Sequence, residues 1–143
     1  MKRIAFALAF AVLVIPAVGS AAPKSKPTLT VRSSAYGKIL FDGRGYVVYA
    51  FTKDQRGRSA CSGGCASAWP PYIAKGTLRA GSGADARKLG TTRRPDGKLQ
   101  VTYARHPLYY YVGDGGPGVI RCQNVFEYGG DWLVVRASGA FVR

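Results

Sequence analysis

The chain contains two copies of one motif, and this duplication constrains its fold more than any other feature of the sequence. The motif is a tyrosine, any residue, an aromatic residue, two further residues and an aspartate, and its copies start sixty residues apart. The residues of the two copies are Tyr49, Phe51 and Asp54, and then Tyr109, Tyr111 and Asp114. Flanking residues recur in the same order, as the pairs Gly37 and Gly97, Cys61 and Cys122, and Trp69 and Trp132. The sequence therefore predicts a tandem repeat of one structural unit.

Both copies are rich in residues that favour strands and turns. Short β-branched and aromatic runs, bounded by Gly, Asp and Pro, occur at 38–41, 46–51, 99–103, 108–112 and 132–136. Shorter runs at 30–33 and 140–142 predict a leading and a closing strand, and 84–89 predicts one helical turn. Neither copy has enough strands to bury its own aromatic face. We therefore predict an all-β fold, a single small domain in which two tandem antiparallel β repeats pack around a shared core.

The N-terminus predicts export. Lys2 and Arg3 precede an apolar run at 4–18 and small residues at 19–22, the pattern of a secretory signal peptide cleaved after Ala22. The run is shorter than the roughly 20 apolar residues of a membrane-spanning helix, so we expect no transmembrane segment in the mature chain. We expect the protein to be secreted or periplasmic. The predicted division is a signal peptide at 1–22, a flexible lead-in at 23–34 and a duplicated β domain at 35–143, with repeat one at 36–74, a linker at 75–95 and repeat two at 96–139.

The repeated motif suits a structural role. Residues two apart on a strand share a face, so the tyrosine and the aromatic residue of each copy point together. The aspartate falls where the strand ends, and there its carboxylate can close an Asx-turn. The alternative is that Asp54 or Asp114 binds a metal or a substrate, but the seven acidic residues are not clustered as a calcium site requires.

Other aromatic residues divide into expected core and expected surface. Trp69 and Trp132 occupy matching positions of the two copies, and we expect them to be paired core anchors. Tyr103 and Tyr110 alternate with the motif tyrosines, so they are the better candidates for exposure.

These motifs resemble those of the bacterial secreted repeat family, which comprises predicted lipoproteins and secreted proteins. The resemblance runs from Tyr36 to Gly139 and includes the segments Cys61-x-x-x-Cys65-x-x-x-Trp69-Pro70-Pro71, Arg94-Pro95-Asp96-Gly97, Pro107-Leu108-Tyr109 and Gly129-Gly130-Asp131-Trp132. It implies an exported protein and little about function, because the family is largely uncharacterised. The chain departs from the family in having no cysteine near the expected cleavage site and in carrying Cys122 where the pattern often has glycine.

The three cysteines support two hypotheses. An exported protein is expected to form at least one disulfide, and Cys61 and Cys65 lie four residues apart across a glycine loop that lets their Cα atoms reach bonding distance. Cys122, the counterpart of Cys61, is the alternative partner of either. In the second hypothesis, Cys61, Cys65, Cys122 and the only histidine, His106, bind copper, zinc or haem. We favour the structural disulfide and expect no cofactor.

The charge balance indicates either an anionic partner or a non-specific surface charge that only aids solubility or retention at an anionic wall. Lysine and arginine number 21 against 7 aspartates and glutamates, a formal charge of +14 at pH 7. Such an excess promotes salt-sensitive association with polyanions. The best local cluster for this contact is Arg93, Arg94, Lys98 and Arg105.

The sequence predicts a binding or structural protein and not an enzyme. It contains no nucleophile elbow, phosphate loop, metalloprotease motif or dinucleotide fingerprint. We therefore predict an exported envelope module whose basic surface engages an anionic envelope polymer or a lipid surface, with only non-specific binding to nucleic acid. The alternative function is a metal-binding or redox protein that uses the cysteines.

Overall fold

A computed structural model describes residues 25–143, and the predicted signal peptide at 1–22 lies outside the described residues. Within residues 25–143, eight strands form three antiparallel sheets. The first pairs β1 (Leu29–Ser34) with β2 (Gly37–Asp42). The second has the order β3 (Tyr49–Phe51), β8 (Gly130–Val134) and β7 (Val125–Glu127), and the third has the order β4 (Leu89–Arg93), β5 (Leu99–Tyr103) and β6 (His106–Pro107). The helical elements are a five-residue helix, α1 (Gly64–Ala68), and a 3₁₀ turn at Ala86–Lys88. The predicted all-β fold is confirmed. Within residues 25–143 no helix is long and apolar enough to cross a membrane.

The two repeats are interleaved and do not stand side by side. β1–β2 and β4–β5 are equivalent antiparallel pairs sixty residues apart in sequence. β3 of the first repeat, however, pairs with β8 of the second. At the centre, the Tyr49 amide donates to the Tyr109 carbonyl and the Tyr109 amide donates to the Tyr49 carbonyl, both at 2.9 Å. The two repeats therefore share one sheet and a central backbone bridge, which produces the shared core that the sequence predicts.

The core has two parts that lie on opposite faces of the central strands. Alternation along β3 sends Tyr49 and Phe51 to one face and Ala50 to the other. The first part holds both tryptophans, both motif tyrosines and all three cysteines. The second is mainly aliphatic and is built around Leu29, Val101 and the ring of Tyr103. The polar motif residues therefore lie beside the aromatic part of the core.

The element boundaries differ from the sequence expectations in two places. β1 begins at Leu29, which is fully buried, so the lead-in assigned to 23–34 is too long. β4 lies inside the segment assigned to the linker at 75–95. Gly90 made this segment resemble a loop, but Oγ of Thr102 on β5 lies only 3.2 Å from where a Cβ would stand, so glycine allows the close approach of the two strands.

The run at 108–112 is also not a regular strand. The Tyr110 amide donates to the Pro70 carbonyl at 2.9 Å, and the Val112 amide donates to the Ala68 carbonyl at 3.2 Å. This pairing resembles a β-ladder, but Pro70 and Pro71 have no N–H to donate in return, and the ladder is interrupted.

The turn between β5 and β6 generates a testable prediction. Tyr103 pairs with His106, and the two residues between them, Ala104 and Arg105, have φ of 49° and 67°. Two consecutive positive φ values define the type I′ hairpin turn, in which a side chain is strained and glycine is not. Replacing Arg105→Gly is expected to raise the free energy of unfolding by about 1 kcal/mol relative to Arg105→Ala, measured by urea denaturation. The alanine variant removes the same charge, so a glycine variant no more stable than it would contradict this account of the turn.

Candidate functional site

The motif tyrosines and aspartates are exchanged between the repeats. The Tyr49 hydroxyl donates to Asp114 Oδ2, and the Tyr109 hydroxyl donates to Asp54 Oδ2, each at 2.8 Å. Each repeat therefore supplies the tyrosine for the aspartate of the other. We call this arrangement the Tyr–Asp clasp, formed by Tyr49, Asp114, Tyr109 and Asp54.

Each aspartate also closes its own loop. Asp54 Oδ1 accepts from the Ala60 amide at 2.7 Å, and Asp114 Oδ1 accepts from the Arg121 amide at 2.9 Å. One carboxylate oxygen thus holds a loop of its own repeat while the other holds a tyrosine of the other repeat. The sequence predicts the turn that each aspartate closes. No local pattern in the sequence shows that each aspartate also binds the tyrosine of the other repeat.

Burial shifts the ionisation of the clasp. Burial raises the pKa of Asp54 to about 6, although the Ala60 amide, the Tyr109 hydroxyl and Arg94 act in the opposite direction. Burial also raises the pKa of Asp114, and it raises the pKa of both clasp tyrosines. The tyrosines therefore keep their protons and act as donors, and the aspartates bear a desolvation cost when ionised.

The aromatic part of the core forms a four-ring stack. Trp69 lies on Trp132 with ring centroids 3.9 Å apart and planes inclined by 4°. Phe51 stacks on the outer face of Trp132 at 4.2 Å, and Tyr111 packs on Trp69 at 4.6 Å. Both tryptophans are fully buried, so their predicted role as paired core anchors is confirmed. These rings fill the core and do not form a binding platform.

The cysteines occupy this same region. Cys61 and Cys65 form a disulfide with Cα atoms 5.3 Å apart, as predicted, and α1 begins at the loop between them. Cys122 is free and buried, and burial raises the pKa of its thiol. His106 packs its ring against Phe141 at 4.6 Å. Among residues 25–143 no group of three or more His, Cys, Asp or Glu side chains is arranged to hold a metal ion.

The predicted basic cluster is not assembled as expected. Arg94 is only 7% exposed, so its assignment to an exposed cluster is wrong. Its guanidinium donates to Ser59 Oγ, to Gln100 Oε1 and to the Cys61 carbonyl, which ties the β4–β5 turn to the disulfide loop. Arg94 follows the exposed Arg93, and the two side chains take opposite sides of the chain.

The other three members of that cluster are exposed but separated. Arg93 and Lys98 flank the turn that joins β4 to β5. Arg105 lies beyond the opposite end of β5, where its carbonyl accepts from the Gly57 amide at 2.7 Å. Gly57 lies between Arg56 and Arg58 in the chain, and both of these arginines are exposed.

The tyrosines expected at the surface also lie elsewhere. Tyr103 is fully buried, and its hydroxyl donates to the Ala137 carbonyl and accepts from the Asp85 amide. Its predicted exposure is wrong because β5 is covered on both sides by the chain. Tyr110 is half-buried and lines a groove.

Charged side chains are segregated by sign. Among residues 25–143, every lysine and arginine is exposed except Arg94, which is buried, and Lys88, which is half-buried. Of the carboxylates, all but Asp131 accept a hydrogen bond from the protein, and Asp96 does so at an exposed position. The acceptors are Asp42, Asp54, Asp85, Asp96, Asp114 and Glu127. Ion pairs within the described residues involve only the cations Arg44, Arg87, Lys88 and Lys98. Most exposed cations therefore have no carboxylate partner.

A groove of about 920 Å³ lies where three separate segments of the chain meet. They are residues 25–28, the turn at 42–44 at the end of β2, and residues 71–77 with Arg79, and the side chain of Tyr110 completes the lining. The cations that line it are Lys26, Arg44, Lys75 and Arg79. Sequence analysis missed this groove because its residues are distant in the chain and the turn after Asp42 indicates only a change of direction.

Comparison with known proteins identifies the family. A family model described as a secreted repeat of unknown function matches residues 30–72 and 90–136, which is more than half of the chain. The chain belongs to this family, and the resemblance seen in the sequence is confirmed. Each matched segment contains one copy of the motif that forms the Tyr–Asp clasp. The protein is thus a secreted repeat protein. No curated protein and no solved structure matches the chain.

The raised pKa of Asp54 predicts a pH dependence of stability. Because the folded-state pKa of about 6 exceeds the ordinary value of 3.8, the folded chain keeps a proton that the unfolded chain has lost between these values. Below the unfolded-state pKa of 3.8, Asp54 is protonated in both states and its contribution to stability is fully present. This contribution is lost as pH rises through the folded-state pKa of about 6. Comparing wild type with Asp54→Asn, which cannot titrate, isolates this effect.

The measurement is the free energy of unfolding of both proteins by urea denaturation between about pH 4 and pH 7. The stability of wild type relative to Asp54→Asn is expected to fall by about 1–3 kcal/mol over that range. A difference that stays constant with pH would show that the Asp54 carboxyl is not desolvated in this way.

Proposed function

We propose that this secreted repeat protein is a non-enzymatic envelope module that binds an anionic polymer through its basic surface. The observation that supports the proposal is the placement of charge: nearly all lysines and arginines of residues 25–143 are exposed, while Asp42, Asp54 and Asp114 accept hydrogen bonds from tyrosine hydroxyls within the fold. A surface of one sign attracts polyanions over a Debye length and releases their counterions on contact.

The internal use of carboxylates strengthens this argument. A net charge alone can arise from cations and anions that are mixed across a surface, and such a surface attracts polyanions weakly. Here the Asp54 and Asp114 carboxylates accept hydrogen bonds from tyrosine hydroxyls and form no ion pair with an exposed cation. The excess positive charge is therefore available to a partner at the surface.

The alternative metal-binding or redox function has less support. Cys61 and Cys65 are joined in a disulfide, so neither offers a thiolate to a metal. Cys122 is buried, and its raised pKa disfavours the thiolate that a redox or metal role needs.

The test is retention of the mature protein on immobilised polygalacturonate across a sodium chloride series, with neutral dextran as the matched column. We expect retention on the polyanion that falls steeply as salt rises from about 0.05 to 0.5 M, and no retention on dextran. Alkylating Cys122 or adding a chelator is expected to change nothing. Retention that is insensitive to salt would contradict the electrostatic proposal, and retention abolished by chelation would support the metal alternative instead.

A further inference from the structure

The groove is a concave part of the basic surface. It is bounded by residues 25–28, the turn at 42–44 and residues 71–77 with Arg79, and its volume of about 920 Å³ falls within the range of sites that enclose a small ligand or a segment of a polymer. The only carboxylate in its lining is Asp42, which is 1% exposed. With Lys26, Arg44, Lys75 and Arg79 also in the lining, the accessible charge of the groove is positive.

Asp42 holds Arg44 in place. Asp42 Oδ1 accepts from the amides of Arg44 and Tyr46, and Asp42 Oδ2 accepts from Arg44 Nε, all at 2.9 Å. The Arg44 side chain is nonetheless 60% exposed. A guanidinium that is fixed on one side and open on the other loses little conformational entropy when it binds an anion, so it is preorganised for that contact.

Two tyrosine rings form the apolar wall of the groove. Tyr72 and Tyr110 lie with ring centroids 5.0 Å apart and planes inclined by 49°. Their hydroxyls are both engaged, since Tyr72 donates to the Thr28 carbonyl at 2.8 Å and Tyr110 donates to Asp42 Oδ2 at 2.9 Å. The rings are therefore held rigidly, and the same carboxylate that holds Arg44 also holds Tyr110.

We propose that this groove binds a segment of an acidic polysaccharide, with the uronate carboxylates on the cations and the C–H faces of the sugar rings on the two tyrosines. This inference rests on the proposed function and names the site and class of the anionic polymer. The negative face of an aromatic ring attracts the weakly positive C–H groups of a sugar, and arginine and lysine supply charge-assisted hydrogen bonds to carboxylates.

The shape of the groove favours a polysaccharide over the other polyanions. A lipid surface is broad, so most of its headgroups would meet the exposed cations outside the groove and only single headgroups could enter it. A single-stranded nucleic acid stacks successive planar bases on aromatic rings, whereas the Tyr72 and Tyr110 rings are inclined by 49° to each other and do not form one flat platform. A chain of non-planar sugar rings with one carboxylate each fits this mixture of apolar wall and cationic rim.

The experiment compares two pairs of lysine substitutions that remove equal charge. The groove variant is Lys26→Gln with Lys75→Gln, and the control variant is Lys38→Gln with Lys53→Gln, whose lysines are exposed outside the groove lining. The dissociation constant for a short oligogalacturonate is measured by calorimetry, together with its salt dependence. The groove variant is expected to bind about tenfold more weakly and to lose about two units of the log–log salt slope. The control variant is expected to change binding by less than about twofold.

A second readout follows the tyrosine rings. Adding the oligogalacturonate to wild type is expected to shift the ring resonances of Tyr72 and Tyr110 in NMR spectra, while the ring of the exposed Tyr128 stays unshifted. The matching neutral oligosaccharide, an oligothymidylate and vesicles of phosphatidylglycerol serve as comparison ligands. We expect each of them to bind more weakly than the oligogalacturonate.

The outcomes separate this inference from the proposed function. Equal weakening by the two variants would overturn the groove as the site while leaving a general anionic surface in place. Tighter binding of the oligothymidylate or of the vesicles would overturn the polysaccharide as the ligand class. Failure of every polyanion to bind wild type would overturn the proposed function and this inference together.

Discussion

The structure depends on one exchange, in which the tyrosine of each repeat donates to the aspartate of the other. Tyr49 and Tyr109 are fully buried at the centre, and their hydroxyls reach Asp114 and Asp54 across the boundary between the repeats. Removing one member would leave a buried polar partner without its hydrogen bond, which costs more than the bond itself contributes. Since neither tyrosine has this acceptor within its own repeat, the fold requires both copies at once. The stacked pair of Trp69 and Trp132 adds apolar contact across the same boundary.

The repeats share this frame but differ where the groove lies. Sixty residues along the chain, the positions equivalent to Asp42, Arg44 and Tyr110 are occupied by Thr102, Ala104 and Ala50. The carboxylate that organises the groove, the arginine it holds and the tyrosine of the wall therefore occur only once. The disulfide is likewise confined to one repeat, because Cys122 has no partner cysteine. The residues that both repeats share thus build the core. The residues that differ between the repeats form the surface on which a ligand is proposed to bind.

Sequence alone predicted the features that depend on spacing. The duplication and the paired tryptophans followed from residues repeated in one order. The all-β class followed from short β-branched and aromatic runs, and the Cys61–Cys65 disulfide from the spacing of those two cysteines. It did not predict that Arg94 is buried, because that depends on Ser59, Gln100 and the Cys61 carbonyl meeting its guanidinium in space. The alternation of inward and outward side chains along a strand also gave the wrong exposure for Tyr103, because β5 is covered on both sides. The groove was not predicted because segments that are distant in the sequence form it.

The most direct test of this account is a double-mutant cycle across the repeat boundary. Tyr49→Phe is measured by urea denaturation in the wild-type background and in an Asp114→Ala background. If the exchange joins the repeats, the substitution costs about 1.5–3 kcal/mol in wild type and much less when Asp114 is already absent. Tyr128→Phe, at an exposed position, is the control and is expected to cost little in either background. An equal cost of Tyr49→Phe in both backgrounds would show that the two side chains are not coupled, and the central claim would be wrong.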